Sequence, residues 1–299
     1  MAGSKMHDDE VETDAGLVAR LLAAQFPKWA NLPIEPVPSA GTDNALYRLG
    51  SNMAVRMPRI DWAVNAVDRE HQWLPKIAPF LPIAIPTPLG QGEPGEGYPY
   101  PWSVYPWLEG ENPAVGQLAD PDGLATDLAR FVHALQSVDA TGGPRGGRGV
   151  PLEQRESPTR AAIRALQGTV DTTAVTMAWE AALEVPAWSG PPVWAHGDLS
   201  PGNLLTIEGR LTAVIDFGTL GVGDPAVDLI VAWNLLPIAS REAYRSALNV
   251  DDATWLRGRG WALSIALIQL PYYHLTNTVL ADNARYVIAE VLADVQQTG

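Results

Sequence analysis

The chain has 299 residues, 46% of them hydrophobic and 18% charged. That is enough apolar material for one large domain or two small ones, and it rules out a collagen-like, disordered or coiled-coil protein. The formal net charge of -14 argues against a nucleic-acid partner and would favour a cationic small molecule, although such acidity also serves solubility alone. With no cysteine, disulfides, thiolate nucleophiles and cysteine-ligated metal sites are excluded.

Residues 1–10 are polar and acidic and show neither the basic nor the apolar region of a secretory signal. The spacing of apolar residues predicts a helix over 14–25 behind a Thr13/Asp14 cap. From 33 to 58, small and turn-forming residues separate short apolar runs, which predicts two or three antiparallel strands. A helix is expected over 61–80 with Val64, Val67, His71 and Leu74 near one face, then a Pro/Gly-rich stretch over 82–101 ending in a strand within WSVYPWLEG. Beyond Asn112 the chain reads as mostly helical. Asp120-Pro121 opens a helix with an apolar stripe, TGGPRGGRG at 141–149 reads as a flexible loop, and helices follow at 158–167 and 172–184. Between 193 and 217 the texture is again β, with a hairpin turning at Glu208-Gly209-Arg210, and helices resume at 224–236, 240–248, 252–276 and 281–296. The longest apolar stretch, 261–273, is interrupted by Ser264, Gln269 and Pro271 and is too short to span a bilayer, so the expectation is a cytoplasmic protein without membrane association.

These elements predict an α+β, two-lobed architecture: a small β-rich N-terminal lobe over 1–107 and a larger helical lobe over 108–299. The natural ligand site of such a design is the cleft between lobes.

The informative residues are His196-Gly197-Asp198, Asn203 and Asp216-Phe217-Gly218. Any one Asp in such a loop reads as a turn former or helix cap. The joint pattern H-x-D-x₄-N-x₁₂-D-F-G, on a loop and then a hairpin, is specific. It supplies the parts of phosphoryl transfer. One carboxylate accepts the proton of an attacking hydroxyl, while a carboxylate and a neutral amide oxygen hold Mg²⁺ against nucleotide phosphates. A hairpin would deliver Asn203 and Asp216 to one point, since its two ends lie side by side.

In these segments, HGDLSPGNLL and VIDFGTLGVGDPAVDL, the sequence resembles the aminoglycoside phosphotransferase family, whose kinase-like fold is shared with choline kinases and antibiotic kinases. The resemblance runs in order over most of 35–235. It implies that Asp198 is the catalytic base, that His196 organises the catalytic loop, that Asn203 and Asp216 bind Mg²⁺, and that Asp224 and Asp228 support the loop. It also implies a protein-kinase-like fold with ATP or GTP as phosphate donor. For the donor, SAGTDNALY at 39–47, with Thr42, resembles the turn over the phosphates, although it has one glycine rather than several. The strand lysine of kinases is matched by Arg56, with Glu70 as its helical partner. Arginine stays charged and can grip phosphate in bidentate fashion, so the role survives the exchange. The base edge of the nucleotide would be read by the Pro106 carbonyl and the Leu108 N–H.

Only TLGVG separates Gly218 from Asp224-Pro225, which leaves no room for the segment on which protein kinases dock peptides. The acceptor is therefore expected to be a small-molecule hydroxyl, and the acidic balance of the chain would suit a cationic compound. Trp233, Trp255, Trp261, Tyr272, Tyr273 and His274 are candidates for its wall, and Asp171, Glu180, Asp251, Asp252 and Glu290 for pairing with amino groups. An aminoglycoside is the leading acceptor. A macrolide, a peptide antibiotic, or a metabolite such as choline or homoserine is the alternative, and a non-catalytic binding module comes last because base and metal ligands are all present.

Overall fold

The structure of the protein is a computed structural model that describes residues 10–38, 41 and 43–298. The chain forms two compact units. One comprises the chain up to Gly110 together with Ala213–Gly218, and the other comprises Glu111–Thr212 and Thr219–Gly299.

The first unit opens with helix α1 (Ala15–Gln25), whose first turn is capped by the Asp14 carboxylate accepting the Leu17 N–H at 2.6 Å, as the Thr13/Asp14 reading anticipates. Strands β1 (Ile34–Pro36), β2 (Asn44–Leu49), β3 (Met53–Pro58), β4 (Gly90–Gly92) and β5 (Trp102–Pro106) form one antiparallel sheet in the order β1-β2-β3-β5-β4. Side chains alternate across a strand, so its two faces bury different sets. Tyr47, Leu49, Met53, Val55, Met57 and Val104 pack with Leu17, Val18, Leu21 and Leu22 of α1 in one apolar cluster. On the other phase of β3, Arg56 faces helix α2 (Asp61–Ile77) and bonds Glu70. The buried stripe of α2 is Ala63, Ala66, Val67, Glu70, Leu74 and Ile77; it keeps Val67 and Leu74 of the expected face, while Val64 and His71 are half-buried and a buried glutamate takes its centre.

The second unit contains α3 (Pro121–Ser137), α4 (Glu156–Ala165), α5 (Thr172–Leu183), strands β6 (Val193–Ala195), β7 (Leu204–Ile207), β8 (Arg210–Val214, whose last two residues are assigned to the first unit) and β9 (Gly221–Gly223), then α6 (Val231–Asn234), α7 (Ile238–Leu248), α8 (Asp252–Tyr273) and α9 (Thr278–Thr298). β7 and β8 pair as the expected hairpin, and the turn between them has Glu208 at φ 51° and Gly209 at φ 78°, the two positive values a tight hairpin turn requires. β6 pairs with β9 in antiparallel register, Trp194 opposite Val222.

The glycine-rich stretch at 141–149 is not loose chain. It lies along β9, with the Val222 N–H donating to the Pro144 carbonyl at 2.8 Å and the Asp224 N–H to the Gly149 carbonyl at 2.8 Å. A methyl group at Gly221 would collide with the Gly146 backbone, and one at Gly223 with that of Gly149. Glycine here permits backbone to touch backbone. No helix among the described residues is long and apolar enough to cross a membrane.

Candidate active site

In the first unit, Arg56 joins two carboxylates with separate nitrogens: Nη1 donates to Glu70 Oε1 at 2.6 Å and Nη2 to Asp216 Oδ1 at 2.6 Å. Glu70 is only 1% exposed, and its second oxygen accepts from the Tyr105 hydroxyl. Burial of Arg56 works against its charge, but the Asp216 and Glu70 carboxylates outweigh that and hold its pKa well above the ordinary arginine value. A lysine would offer one point charge where this guanidinium spans both partners. Asp216 has a left-handed backbone, φ 60°, a conformation that Asp tolerates better than most residues, and its carboxylate also lies 3.4 Å from the Gly218 N–H. Arg69 Nη1 donates to the Gly218 carbonyl at 3.0 Å. Pro106 ends β5 opposite Met53, and the next residue, Trp107, donates its N–H to the Asn52 carbonyl. The Leu108 N–H makes no hydrogen bond among the described residues. Thr42 lies outside them.

In the second unit the chain leaves β6 directly into His196-Gly197-Asp198. The fully buried Asp228 carboxylate holds this loop from behind, accepting the His196 N–H at 2.8 Å and the Gly197 N–H at 2.7 Å. Burial pushes the Asp228 carboxyl up, against the opposing pull of His196 and the two N–H donors. His196, also fully buried, accepts the Asp198 N–H on Nδ1 at 3.1 Å, while its carbonyl accepts from the Thr219 hydroxyl at 2.7 Å. These bonds make His196 a scaffold for the loop.

Asp198 projects from this scaffold with its side chain 28% exposed. Asn203 Nδ2 reaches back to the Asp198 carbonyl at 2.9 Å and to Oδ2 at 3.1 Å. Oδ1 is paired with Arg148, whose same Nη1 atom donates to the Gly197 carbonyl at 2.9 Å. Nothing in the local sequence singles out Arg148. Two further anchors also escape a sequence reading: Asn234 donates to the Leu199 carbonyl at 2.7 Å, and the Tyr244 hydroxyl donates to the Asp228 carbonyl at 3.0 Å. Asp224 caps the short 3₁₀ helix Pro225–Ile230, accepting the Ala226 N–H at 3.0 Å, and forms a buried two-point pair with Arg257.

The expected acceptor wall needs correction. Trp233 and Trp261 are fully buried and Trp255 nearly so, with the Trp233 and Trp255 rings 4.7 Å apart. They are core, because aromatic residues at helical spacing fill a helix interface as readily as they line a pocket. Tyr272, Tyr273 and His274, at the end of α8, reach the surface. The acidic candidates are already engaged. Asp171 and Asp251 cap α5 and α8, while Glu180, Asp252 and Glu290 pair with Arg160, Arg245 and Arg241.

Residues 34–261 match the model of the phosphotransferase enzyme family. The chain belongs to that family. Among family relatives, an aminoglycoside 3'-phosphotransferase of Escherichia coli is 43% identical over 58 residues, 19% of this chain and 21% of that protein. A second one from the same organism is 30% identical over 125 residues, 38% of this chain and 44% of its own length. The chain thus spans less than half the length of the curated relatives it matches. Among solved structures, the GDP complex of aminoglycoside 2'-phosphotransferase-IIIa superposes with a TM-score of 0.74 at 18% identity, covering 94% of this chain and 99% of that one. The apoenzyme of macrolide 2'-phosphotransferase MphH from Brachybacterium faecium gives 0.62 at 24% identity, covering 93% and 98%. At such identities the likeness establishes the fold: α+β, of the kinase-like kind these phosphotransferases share.

Proposed function

We propose that the protein transfers the γ-phosphate of ATP or GTP to a hydroxyl group of a small-molecule antibiotic, with aminoglycosides as the leading acceptor class. The observation that carries this reading is the Asp198 carboxylate, gripped by Asn203 on a loop clamped by Asp228 and still partly open to solvent. A carboxylate so placed orients an acceptor hydroxyl and takes its proton as the phosphoryl group arrives. The family membership, the names of the relatives and the net charge of -14 support an aminoglycoside acceptor. Solved neighbours in complex with GDP, with ADP and with kanamycin support a nucleotide donor and a hydroxyl-bearing acceptor.

The donor chemistry suits Mg²⁺. Asn203 spends its amide N–H groups on Asp198, and its Oδ1 makes no hydrogen bond among the described residues. That oxygen and the Asp216 carboxylate are the proposed ligands, one neutral and one anionic. No three His, Asp or Glu side chains among the described residues cluster as a cation site, so phosphate and water would complete the shell. When bound, Mg²⁺ offsets the charge of the transferring phosphate. Arg56 is the proposed phosphate contact, and the Pro106 carbonyl and Leu108 N–H the proposed readers of the base edge.

The test is coupled nucleotide turnover with ATP and GTP separately, against aminoglycosides, macrolides, choline and homoserine, with Asp198→Ala as the comparison. Turnover with one acceptor class, reduced at least about 100-fold in the variant while nucleotide binding persists, is the expected outcome. Turnover that survives Asp198→Ala removes the residue from the mechanism. An absence of both turnover and Mg²⁺-nucleotide binding points to a binding module instead.

A further inference from the structure

We infer that Arg148 is a positioning residue for Asp198, and that the glycine-rich stretch 141–149 exists to deliver it; the inference rests on Asp198 being the base. Arg148 holds Asp198 Oδ1 while Asn203 holds Oδ2 from the other side. Two opposed donors fix the plane of the carboxylate, which would otherwise rotate about its last torsion. Each carboxylate oxygen has two lone-pair sites, so these bonds still leave room for an incoming hydroxyl. Because Arg148 Nη1 also donates to the Gly197 carbonyl, the carboxylate is set relative to the loop that carries it, not merely neutralised.

Arg148 comes from 50 residues before Asp198 yet reaches it through a defined backbone path. Val222 donates its N–H to Pro144 and accepts from the Gly146 N–H at 3.4 Å, and Asp224 donates to Gly149. The same Val222 stands opposite Trp194 in β6, and β6 runs directly into His196-Gly197-Asp198. Segment 144–149, β9 and β6 therefore lie side by side, the first carrying Arg148 and the last leading into Asp198. A side chain at Gly221 or Gly223 would push the segment outward and carry Arg148 away. Arg148 makes no other ion pair among the described residues, so Asp198 is its sole carboxylate partner there.

The experiment compares wild type, Arg148→Ala, Arg148→Lys, Asp198→Ala and the Arg148→Ala/Asp198→Ala double variant in nucleotide turnover, using the acceptor found above or, without one, slow hydrolysis to water. Folding is checked by circular dichroism and nucleotide affinity by calorimetry. For Arg148→Ala, kcat should fall about 10- to 100-fold, the scale of a misplaced catalytic group, with KM for both substrates within about threefold. Added methylguanidinium should restore several-fold of the activity. Arg148→Lys should fall between wild type and Arg148→Ala, and the double variant should be no slower than Asp198→Ala. A kcat for Arg148→Ala within about threefold of wild type overturns the inference. So does a loss that methylguanidinium leaves untouched and that multiplies with Asp198→Ala, since that marks a mere structural pin. If Arg148→Ala does not fold, Arg148→Lys decides: unchanged kcat overturns the inference, and a reduced kcat with unchanged KM upholds it. Equal turnover by wild type and Asp198→Ala would instead remove Asp198 from the mechanism, and this inference with it.

Discussion

Replacing Arg56 by methionine keeps most of the buried stem and removes only the guanidinium. Glu70 is then a carboxylate 1% exposed, left with the Tyr105 hydroxyl as its side-chain partner among the described residues, because the 2.6 Å bond to Nη1 is gone. Breaking a buried ion pair from one side costs about 3–5 kcal/mol, most of it the desolvation of the stranded charge. Asp216 loses its 2.6 Å bond as well, but its side chain is 44% exposed and water can replace the contact, so it adds little. Adding Glu70→Leu removes the stranded charge and leaves an unpartnered Tyr105 hydroxyl, a penalty of about 1–3 kcal/mol. The double variant should therefore be more stable than Arg56→Met alone, by about 2 kcal/mol from the difference of the two midpoints. Equilibrium urea unfolding of wild type, both single variants and the double variant supplies the cycle. Equal losses for Arg56→Met and the double variant would refute the reasoning, since the cost would then lie in packing of the stem and not in the charge left on Glu70.

Gly221→Ala places a methyl group against the Gly146 backbone and should destabilise the second unit by at least the roughly 1–3 kcal/mol of overpacking, read as a lower melting temperature; an unchanged melting temperature would show that segment 144–149 moves away freely. The two-point hydrogen bonds from Arg210, at 2.7 Å each, hold the Asp127 carboxyl below its ordinary value despite burial. A carboxyl depressed in the folded state contributes stability above its unfolded value, near 3.9, and loses it as pH falls through the folded value. The stability gap between wild type and Asp127→Asn should accordingly be full at pH 7 and shrink below about pH 4 in urea midpoints; a gap independent of pH would contradict this.

The motif H-x-D-x₄-N-x₁₂-D-F-G was legible because loop and hairpin are contiguous, so sequence spacing translates into local geometry. Asp198 and Asn203, five residues apart, do meet, and Gly209 of the hairpin turn takes the left-handed backbone that glycine accepts freely. Arg56 and Glu70 were legible through the same kinase logic, and they bond at 2.6 Å. Arg148 was not, because its partner lies 50 residues away and the glycines around it read by composition as looseness. What those glycines supply is clearance, visible only once β9 lies against them. On α2, Val67 and Leu74 are buried as expected, but the centre of the buried face is held by a charged residue, Glu70, which a pattern of apolar residues does not mark. Trp233 and Trp261 were misassigned because a helical period tells which face is apolar and not whether another helix or a ligand covers it.

The contact between Gly146 and Gly221 has one more consequence. A crowded pair of side chains can be relieved from either side, since a larger residue at one position is tolerated once the other shrinks. Where each partner is already glycine, nothing smaller exists to retreat to. A gain of volume at Gly221 has no second-site remedy at Gly146, and relief must come from moving the chain itself. Variation in this part of the protein is thus channelled away from substitution and into the exposed residues beside the contact, such as Arg145 and Gly147, where added bulk meets solvent.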